Sequence, residues 1–357
     1  MIERYKKSAE LDPNDADAWI NLADAYYDEN EFELAIDSYQ KAIEINPYFS
    51  EVWNNLGLSF SMLRQFKEAI KCYQKAIEIE PDDAVAYYNM GFAYEDLEDY
   101  DNALKYYKIA LEYEPSYTDV WNNIALIYRE KKQYEKAINC YKKAIKINPD
   151  EQLLYTNLAT IYYDNQNYKD AIIYYRKAID LDPNNAELWF DLGDVAYENN
   201  NYDLAIESYK KATEIDDTFI EAWNNLGLSY TFNEEFKKSI KCYEEALKLQ
   251  EEDPVLYENL AFSYSALNDY DNAIIYYRNT LKMDPDNINA LKKLGKIYCD
   301  VKHNYEEALI LFNKILSLDP SDVDFWESAA LCHEKLGNSD KAKKWIELGS
   351  RLKTNDI

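Results

Sequence analysis

The chain of 357 residues contains few of the residues that build linkers, phosphate loops and metal sites. It has seven glycines and nine prolines, which leaves no stretch with the composition of a flexible linker. Glycines occur singly, so no phosphate-binding loop is present. The two histidines, His303 and His333, are far apart, and no cysteine or histidine cluster has zinc-ligand spacing. The sequence therefore predicts no metal, no cofactor and no catalytic residue.

Positive charge is also scarce. The chain has 67 acidic and 39 basic residues, a formal net charge of −28, and no long basic block. Nucleic acids and anionic membrane surfaces both require clustered lysine and arginine, so neither is predicted as a partner. No apolar run approaches the roughly 18 residues of a membrane span, and the first ten residues lack the apolar core of a signal peptide. We expect a soluble protein.

Five cysteines are too few and too scattered for a disulfide framework. Cys72, Cys140 and Cys242 occupy equivalent places in distant segments, where Tyr106 and Tyr174 stand in sister segments. They are therefore poor candidates for mutual disulfides and good candidates for core residues. A reducing, cytoplasmic location is the resulting expectation.

What the sequence has in abundance is a 34-residue period. Residues 50–83 read SEVWNNLGLSFSMLRQFKEAIKCYQKAIEIEPDD. Their apolar and small residues stand at the spacing W-x2-L-G-x2-F, followed by A-x3-Y-x2-A and a proline. This pattern resembles the tetratricopeptide repeat, a pair of antiparallel helices. The resemblance implies an all-α, right-handed superhelical solenoid of about ten stacked repeats, whose first helices line a concave, peptide-binding face.

Repeats occupy nearly the whole chain. They begin at Ala16, Ser50, Ala84, Thr118, Gln152, Ala186, Ile220, Pro254, Ile288 and Val323. A second period of 170 residues relates repeats 1–3 to repeats 6–8, for example through WNNLGLS in repeats 2 and 7. We therefore divide the chain into a leading helix (1–15), repeats 1–5 (16–185), repeats 6–10 (186–349, a probable duplicate) and a tail (350–357).

Two places depart from the pattern. Residues 1–15 match only a second helix, which indicates either a capping helix or a chain that continues before Met1, and we favour the longer chain. Repeat 9 contains one inserted residue, which we expect in the turn that contains His303 and Asn304.

A line of amides follows the predicted inner face of the first helices. An amide both donates and accepts, so it can pair with a passing peptide backbone. A similar asparagine ladder lines the superhelical arm of O-GlcNAc transferase. The alternative is that these amides tie neighbouring helices together. The line consists of Asn21, Asn55, Asn89, Asn123, Asn157, Asn225 and Asn259, interrupted by Asp191 and followed by Lys293 and Ser328.

An apolar line runs beside the amides, at places where family members usually carry polar residues. An exposed apolar surface usually marks an interaction site. The alternative is that these side chains pack between adjacent first helices. The line contains Leu58, Met62, Phe92 and Leu126 in the first half of the chain, and Leu228, Phe232 and Phe262 in the second.

Acidic residues border both lines, at the starts and ends of the first helices. They are Asp17, Glu51, Asp119, Glu187 and Glu221 at the starts, and Asp28, Asp96, Glu130, Asp164 and Glu198 toward the ends. The only basic spot is Lys292, Lys293 and Lys296, which we expect to pair with Asp300 and its neighbours; the alternative is that it binds a ligand carboxylate. The predicted ligand is a basic or amphipathic peptide with leucine-like anchors.

We therefore predict a non-enzymatic scaffold that binds a protein or peptide in an acidic, partly apolar groove. One alternative is the substrate-recognition arm of a larger, glycosyltransferase-like enzyme whose catalytic domain lies outside this chain. Another is end-to-end self-association through the leading helix, by Ile2 and Tyr5.

Overall fold

The computed structural model describes residues 1–353, and all regular structure in that range is helical. The chain forms two compact units, unit 1 from Met1 to Leu181 and unit 2 from Asp182 onward. The boundary falls a few residues before the predicted junction at 185/186. Within each unit, every helix packs against the helix before it and the helix after it, as expected for stacked helix pairs.

Unit 1 contains one leading helix and five helix pairs. The leading helix, α1, spans Ile2–Leu11. The first helices of the pairs are α2 (Ala16–Asp28), α4 (Ser50–Met62), α6 (Ala84–Asp96), α8 (Thr118–Glu130) and α10 (Gln152–Asp164). The second helices are α3 (Phe32–Ile45), α5 (Phe66–Ile79), α7 (Tyr100–Tyr113), α9 (Tyr134–Ile147) and α11 (Tyr168–Leu181).

Unit 2 contains five further pairs. The first helices are α12 (Ala186–Glu198), α14 (Ile220–Phe232), α16 (Pro254–Ala266), α18 (Ile288–Lys296, followed by a π-helical turn, Ile297–Val301) and α20 (Val323–Lys335). The second helices are α13 (Tyr202–Ile215), α15 (Phe236–Leu249), α17 (Tyr270–Met283), α19 (Tyr305–Leu318) and α21 (Ser339–Lys353). All ten first helices begin at the residues predicted from the repeat.

Local signals explain these helix starts. Asp83 caps α6, since its Oδ1 accepts hydrogen bonds from the backbone N–H groups of Val85 (2.9 Å) and Ala86 (3.2 Å). Asp253 caps α16 in the same way, and Pro254 stands at the first helical position, where its missing N–H costs nothing. The repeat therefore carries its own start signals.

A residue with a left-handed backbone conformation separates the two helices of nine of the ten pairs, and it is not glycine. A left-handed conformation strains most L-residues, although asparagine tolerates it. These residues, with φ between 52° and 63°, are Asn30, Arg64, Glu98, Lys132, Gln166, Asn200, Glu234, Asn268 and His303. In repeat 10 the place is taken by Gly337, at φ 79°.

Close approach of the paired helices requires the predicted small residue of the first helix. A Cβ atom added to Gly57 would lie 2.5 Å from Cε1 of Tyr73, and one added to Gly227 would lie 2.5 Å from Cε1 of Tyr243. Both tyrosine rings are buried. The glycine therefore makes room for an aromatic ring of the second helix, as the sequence indicates.

The aromatic residue at the fourth place of a repeat connects it to the preceding segment. The indole Nε1–H of Trp19 donates to the carbonyl oxygen of Pro13 at 3.1 Å, and that of Trp53 donates to Pro47 at 2.9 Å. The Tyr155 hydroxyl makes the same bond to Pro149 at 3.0 Å. The proline that ends one repeat thus also anchors the aromatic of the next.

The structure corrects the location of the insertion in repeat 9. The extra residue lies in the π-helical turn, Ile297–Val301, which extends the first helix. His303 takes the left-handed place and Asn304 is the N-cap of the second helix, which begins at Tyr305. The prediction of a bulged turn was therefore wrong.

Both ends of the chain contain helix. Ile2 and Tyr5 of α1 are partly buried against Ala9, Ala18 and Leu22, so α1 packs on α2 as a second helix would. At the other end, α21 continues to Lys353, beyond the predicted start of the tail at residue 350. Residues 354–357 of that predicted tail lie outside the described residues.

Candidate partner-binding site

A cavity of about 590 Å³ lies between α2 and α4, on the first-helix face of unit 1. Its polar lining consists of four carboxylates, two amides and two hydroxyls: Asp17, Asp24, Glu51, Glu80, Asn21, Asn55, Tyr48 and Ser50. Four carboxylates around one concave space favour a cation. The predicted amides Asn21 and Asn55 and the predicted acids Asp17 and Glu51 thus meet in one place.

Two of these carboxylates are held by hydrogen bonds to neighbouring helices. Asp24 Oδ1 accepts from the Tyr39 hydroxyl at 2.5 Å, and Glu80 Oε2 accepts from Ser50 Oγ at 2.8 Å. Burial and the adjacent Asp24 both raise the pKa of Tyr39, which keeps its hydroxyl protonated and donating. The cavity wall is therefore fixed before any ligand arrives.

A smaller cavity of about 200 Å³ adjoins the first. The two share Asp24 and Asn55, and the smaller one adds Asp28 and Leu58. This arrangement places a predicted apolar anchor directly beside two carboxylates. The combination of charge and apolar surface suits an amphipathic ligand.

An apolar strip continues from Leu58 along the first helices of unit 1, and we name Leu58, Met62 and Phe92 strip 1. Met62 is 53% exposed and Phe92 is 44% exposed. Leu58 is half-buried and packs against the core residues Phe66 and Tyr73 and their neighbours. Strip 1 therefore fits both interpretations of the apolar line. Met62 and Phe92 expose apolar surface, whereas Leu58 packs against the core.

The equivalent residues of unit 2, Leu228, Phe232 and Phe262, form strip 2. Phe232 is 56% exposed and Phe262 is 40% exposed, while Leu228 is half-buried. The predicted Leu126, one repeat beyond strip 1, is half-buried as well. Equivalent positions of the two units therefore have similar exposure.

The asparagine ladder divides into two groups. The Nδ2 atoms of five members donate to the preceding repeat: Asn89 to Asn54 (2.9 Å), Asn123 to Tyr107 (3.1 Å), Asn157 to Asn122 (3.1 Å), Asn225 to Asp194 (3.1 Å) and Asn259 to Asn224 (3.2 Å). These amides tie repeats together, which was the alternative reading. Asn21 bonds only within its own helix, to the Asp17 carbonyl, and it lines the cavity with Asn55. Asn21 and Asn55 are therefore the ladder members that line the cavity, where Asn55 also hydrogen-bonds the Tyr39 hydroxyl of repeat 1.

The predicted acidic border is exposed, with one exception. Asp164 is half-buried, and its carboxylate accepts from Arg129 Nε at 2.6 Å. The exposed members are Asp17, Glu51, Asp119, Glu187, Glu221, Asp28, Asp96, Glu130 and Glu198. The first-helix faces of both units therefore remain acidic at most of the predicted places.

The basic spot in repeat 9 has partners other than those expected. Lys292 pairs with Asp322 at 2.6 Å rather than with Asp300, because α20 brings Asp322 alongside. The ammonium group of Lys293 lies 5.5 Å from the ring centroid of Phe262, and that of Lys296 lies 5.9 Å from that of Phe325. The ammonium group of Lys292 also lies 5.1 Å from the ring centroid of Phe325, so all three lysines lie over aromatic rings.

Sequence reasoning missed a cleft of about 600 Å³ between the second helices α3 and α5. Ile43, Trp53, Leu56, Phe60 and Cys72 form its apolar floor. A matching cleft of about 400 Å³ lies between α7 and α9, where the floor residues are Leu111, Trp121, Ile124, Tyr128 and Cys140.

The signal for these clefts was present in the sequence. Cys72 and Cys140 are small residues at the place where Tyr106 stands in the intervening repeat. The ring of Tyr106 stacks on Tyr94 with 5.4 Å between centroids. A cysteine at that place leaves the space open.

The rim of the first cleft carries two ion pairs within α5, Lys71 with Glu68 and Lys75 with Glu78. The charge of this rim therefore largely cancels.

Comparison with known proteins identifies the fold family. Sequence models of the tetratricopeptide repeat match residues 16–49, 84–117, 118–151 and 220–253, and related models of the same repeat match 38–71, 65–98, 156–218 and 254–287. The chain belongs to the tetratricopeptide repeat family. The predicted all-helical repeat fold is thereby confirmed, and a tetratricopeptide repeat protein of this kind is a protein-interaction scaffold.

Solved structures agree with this assignment. The C-terminal part of a TPR repeat-containing protein from Cytophaga hutchinsonii is 19% identical, matches 68% of this chain and 99% of its own length, and has a TM-score of 0.61. YrrB, described as a TPR protein with an unusual peptide-binding site, is 24% identical over 52% of this chain and 96% of its own, with a TM-score of 0.46. The Cytophaga hutchinsonii match shows a shared fold and nothing more. No curated protein sequence matches this tetratricopeptide repeat chain.

Residues 1–353 contain neither a candidate membrane span nor a cluster of metal-ligating side chains. No helix within residues 1–353 is long and apolar enough to cross a membrane. Over the same range, no group of three histidine, cysteine, aspartate or glutamate side chains is placed to hold a metal ion.

Proposed function

We propose that this tetratricopeptide repeat protein binds a basic, amphipathic peptide or protein segment on the first-helix face of repeats 1–3. The observation that carries the proposal is the four-carboxylate cavity between α2 and α4, which adjoins the smaller cavity at Leu58. Tetratricopeptide repeat proteins bind protein or peptide partners, which supports the ligand class.

The charge of the site selects a basic ligand. A lysine or arginine side chain that enters the larger cavity meets Asp17, Asp24 and Glu51 at once. Carboxylates that are already held by Ser50 and Tyr39 need little reorganisation, which lowers the cost of binding. Complementary charge also raises the association rate and excludes acidic competitors.

The apolar part of the site provides anchors. Met62 and Phe92 project exposed apolar surface beyond the cavities, and methionine adapts to ligands of different shape. A helical ligand with leucines every third or fourth residue could cover this surface while its lysines face the carboxylates. Asn21 and Asn55 could bond the ligand's polar groups.

The test uses a fluorescein-labelled amphipathic peptide of about 15 residues, with leucines on one face and lysines on the other. Binding to the full chain is measured by fluorescence anisotropy. We expect the double variant Met62→Asp, Phe92→Asp to lose about tenfold or more in affinity, equivalent to about 1.4 kcal/mol. A rise in salt should weaken the charged part of the interaction and leave the anchored part.

Two controls separate specific binding from nonspecific attraction. The first is a peptide of the same composition, scrambled so that no apolar face forms. The second is the variant Ile173→Asp, Leu181→Asp, which adds the same charge at exposed apolar residues of the second helix α11. Equal binding of both peptides, or an equal loss in both double variants, would contradict the proposal.

A further inference from the structure

Two cysteines from consecutive repeats of unit 2 lie in contact. Cys299 belongs to the π-helical turn that ends the first helix of repeat 9, and Cys332 belongs to α20 of repeat 10. Their Sγ atoms are 3.8 Å apart, and both side chains are buried. Both cysteines are reduced in this structure.

The contact occupies a regular place in the stack. Counted from the helix start, Cys299 is the twelfth residue of one repeat and Cys332 the tenth residue of the next. The same two places are taken by Thr231 and Ser263 in repeats 7 and 8, where the hydroxyl oxygens are 3.5 Å apart. The stacking geometry itself therefore brings these positions together, independently of residue type.

The remaining cysteines provide an internal reference. Cys72, Cys140 and Cys242 lie on second helices, each in a different repeat. Among the described residues, Cys299 and Cys332 are the cysteines whose sulfur atoms lie within contact distance of each other.

We propose that Cys299 and Cys332 are a redox site that closes to an intramolecular disulfide when the protein meets a low-molecular-weight disulfide such as oxidised glutathione. The thiolate of one cysteine attacks a glutathione sulfur, the glutathione S–S bond breaks, and one reduced glutathione leaves. The second cysteine thiolate attacks the protein sulfur of the mixed disulfide and expels the second glutathione. Two protein thiols are oxidised and one glutathione disulfide is reduced to two thiols, with no other reactant.

Burial determines how fast the site reacts. Burial raises the pKa of the Cys299 thiol to about 12 and also raises that of Cys332, so few thiolates form at neutral pH. Cys299 is followed by an exposed segment, residues 300–304, whereas Cys332 is fully enclosed. Cys299 is therefore the first to attack glutathione disulfide, and oxidation proceeds over minutes to hours as this segment opens locally.

A bond at this place ties the last repeat to its neighbour. Repeat 10 contributes α20 and α21, and α20 packs on α19 of repeat 9. A crosslink between the repeats restricts how far they separate in the unfolded chain. The oxidised protein should resist opening of the final helix pair.

The experiment incubates the full chain with oxidised glutathione, blocks residual thiols in denaturant, and counts them by mass spectrometry. The reduced chain has five thiols. We expect three after oxidation, a crosslinked tryptic peptide pair that contains Cys299 and Cys332, and full reversal by dithiothreitol. Hydrogen exchange of α20 and α21 should slow in the oxidised form.

Matched variants decide the assignment. Cys242→Ser should lose two thiols on oxidation, as the natural chain does, whereas Cys332→Ser should form no internal crosslink. Cys332→Ala repeats that test if the serine disturbs the core, with helicity measured for each. The double variant Thr231→Cys, Ser263→Cys should gain a second crosslink. Five remaining thiols in the natural chain, or a crosslink through Cys72, Cys140 or Cys242, would overturn the proposal.

Discussion

Strip 1 and strip 2 occupy equivalent places in the repeats of unit 1 and unit 2, yet their surroundings differ. Phe92 lies beside Asn123 in the repeat pattern, and among the described residues neither a ring nor a cation stacks on it. At the equivalent place in unit 2, the ring centroid of Phe262 lies 5.5 Å from the ammonium group of Lys293. Lys293 stands where unit 1 has Asn123.

The second members of the strips differ as well. Met62 is a flexible thioether, whereas Phe232 stacks on Tyr202 at 5.3 Å between centroids and contacts Tyr197 edge-on at 5.7 Å. Two of the three residues of strip 2 thus have aromatic or cationic neighbours within the chain. The strip positions are apolar in both units, but the residues that border them differ, so the exposed members of strip 1 have fewer aromatic and cationic neighbours.

The largest expected effect is on stability, and it follows from substitution of the glycines in α4 and α14, two of the helices that carry the strips. Gly57→Ala would place a Cβ 2.5 Å from Tyr73, and Gly227→Ala would place one 2.5 Å from Tyr243. Because both rings are enclosed, α4 or α14 must shift, and we expect each variant to lower the free energy of unfolding by about 1–3 kcal/mol. Urea denaturation followed by circular dichroism measures this loss.

The two glycine variants should differ in binding. α4 carries Leu58 and Met62, so Gly57→Ala should also weaken the amphipathic peptide of the proposed test, whereas Gly227→Ala should leave its affinity nearly unchanged. Ala125→Gly, at the equivalent place in repeat 4, is the control and should cost about 1–2 kcal/mol, from lower helix propensity and the loss of a buried methyl group. A neutral Gly57→Ala would show that this crossing tolerates a methyl group.

The comparison also shows what could be predicted from the sequence. Trp53, Gly57 and Ala69 stand at spacings that only one packing of paired helices satisfies, so the helix starts and the core followed directly. The hydrogen-bond partner of each asparagine amide could not be predicted in this way. Asn54 and Asn55 are adjacent, and the sequence does not show which of them faces the next repeat. The structure places Asn54 against Asn89 and leaves Asn55 in the cavity.

Two other features depended on three-dimensional detail. An inserted residue can be absorbed by a turn or by a π-helical segment, and the choice in repeat 9 depends on whether the turn geometry of the other repeats is kept. The clefts beside Cys72 and Cys140 depend on a missing ring rather than on any residue with a recognisable role. Absences of this kind are visible in a sequence only when sister repeats are compared place by place.

A smaller effect, on peptide affinity, should follow when the residues beside Phe92 and Phe262 are exchanged. Asn123→Lys in unit 1 should bring a cation toward Phe92, as Lys293 is placed beside Phe262, and lower the affinity for the lysine-rich peptide. We expect a loss of about two- to fivefold, since one exposed cation contributes about 0.5–1 kcal/mol. Fluorescence anisotropy with the same peptide provides the measurement.

The reverse substitution, Lys293→Asn in unit 2, provides a second test of the same idea. In the background of Met62→Asp and Phe92→Asp, Lys293→Asn should uncover Phe262 and restore part of the binding through strip 2. Asn123→Gln, which keeps an uncharged amide, is the control for Asn123→Lys. If Asn123→Lys binds the peptide as well as the natural chain does, charge at this border does not distinguish the strips.

The smallest effect concerns the turns that follow the strip helices. Glu98 in unit 1 and Asn268 in unit 2 occupy equivalent places, and both adopt a left-handed conformation, at φ 59° and 60°. Glycine relieves about 1–2 kcal/mol of strain for an ordinary side chain but adds about 0.5–1 kcal/mol of unfolded-state entropy. Asparagine already tolerates this conformation, and Gly337 occupies the same place in repeat 10. Glu98→Gly should therefore stabilise the chain by about 0.5 kcal/mol, while Asn268→Gly should be neutral or slightly destabilising. Paired thermal melts of the two variants measure the difference, and an equal gain in both would show that asparagine has no advantage in these turns.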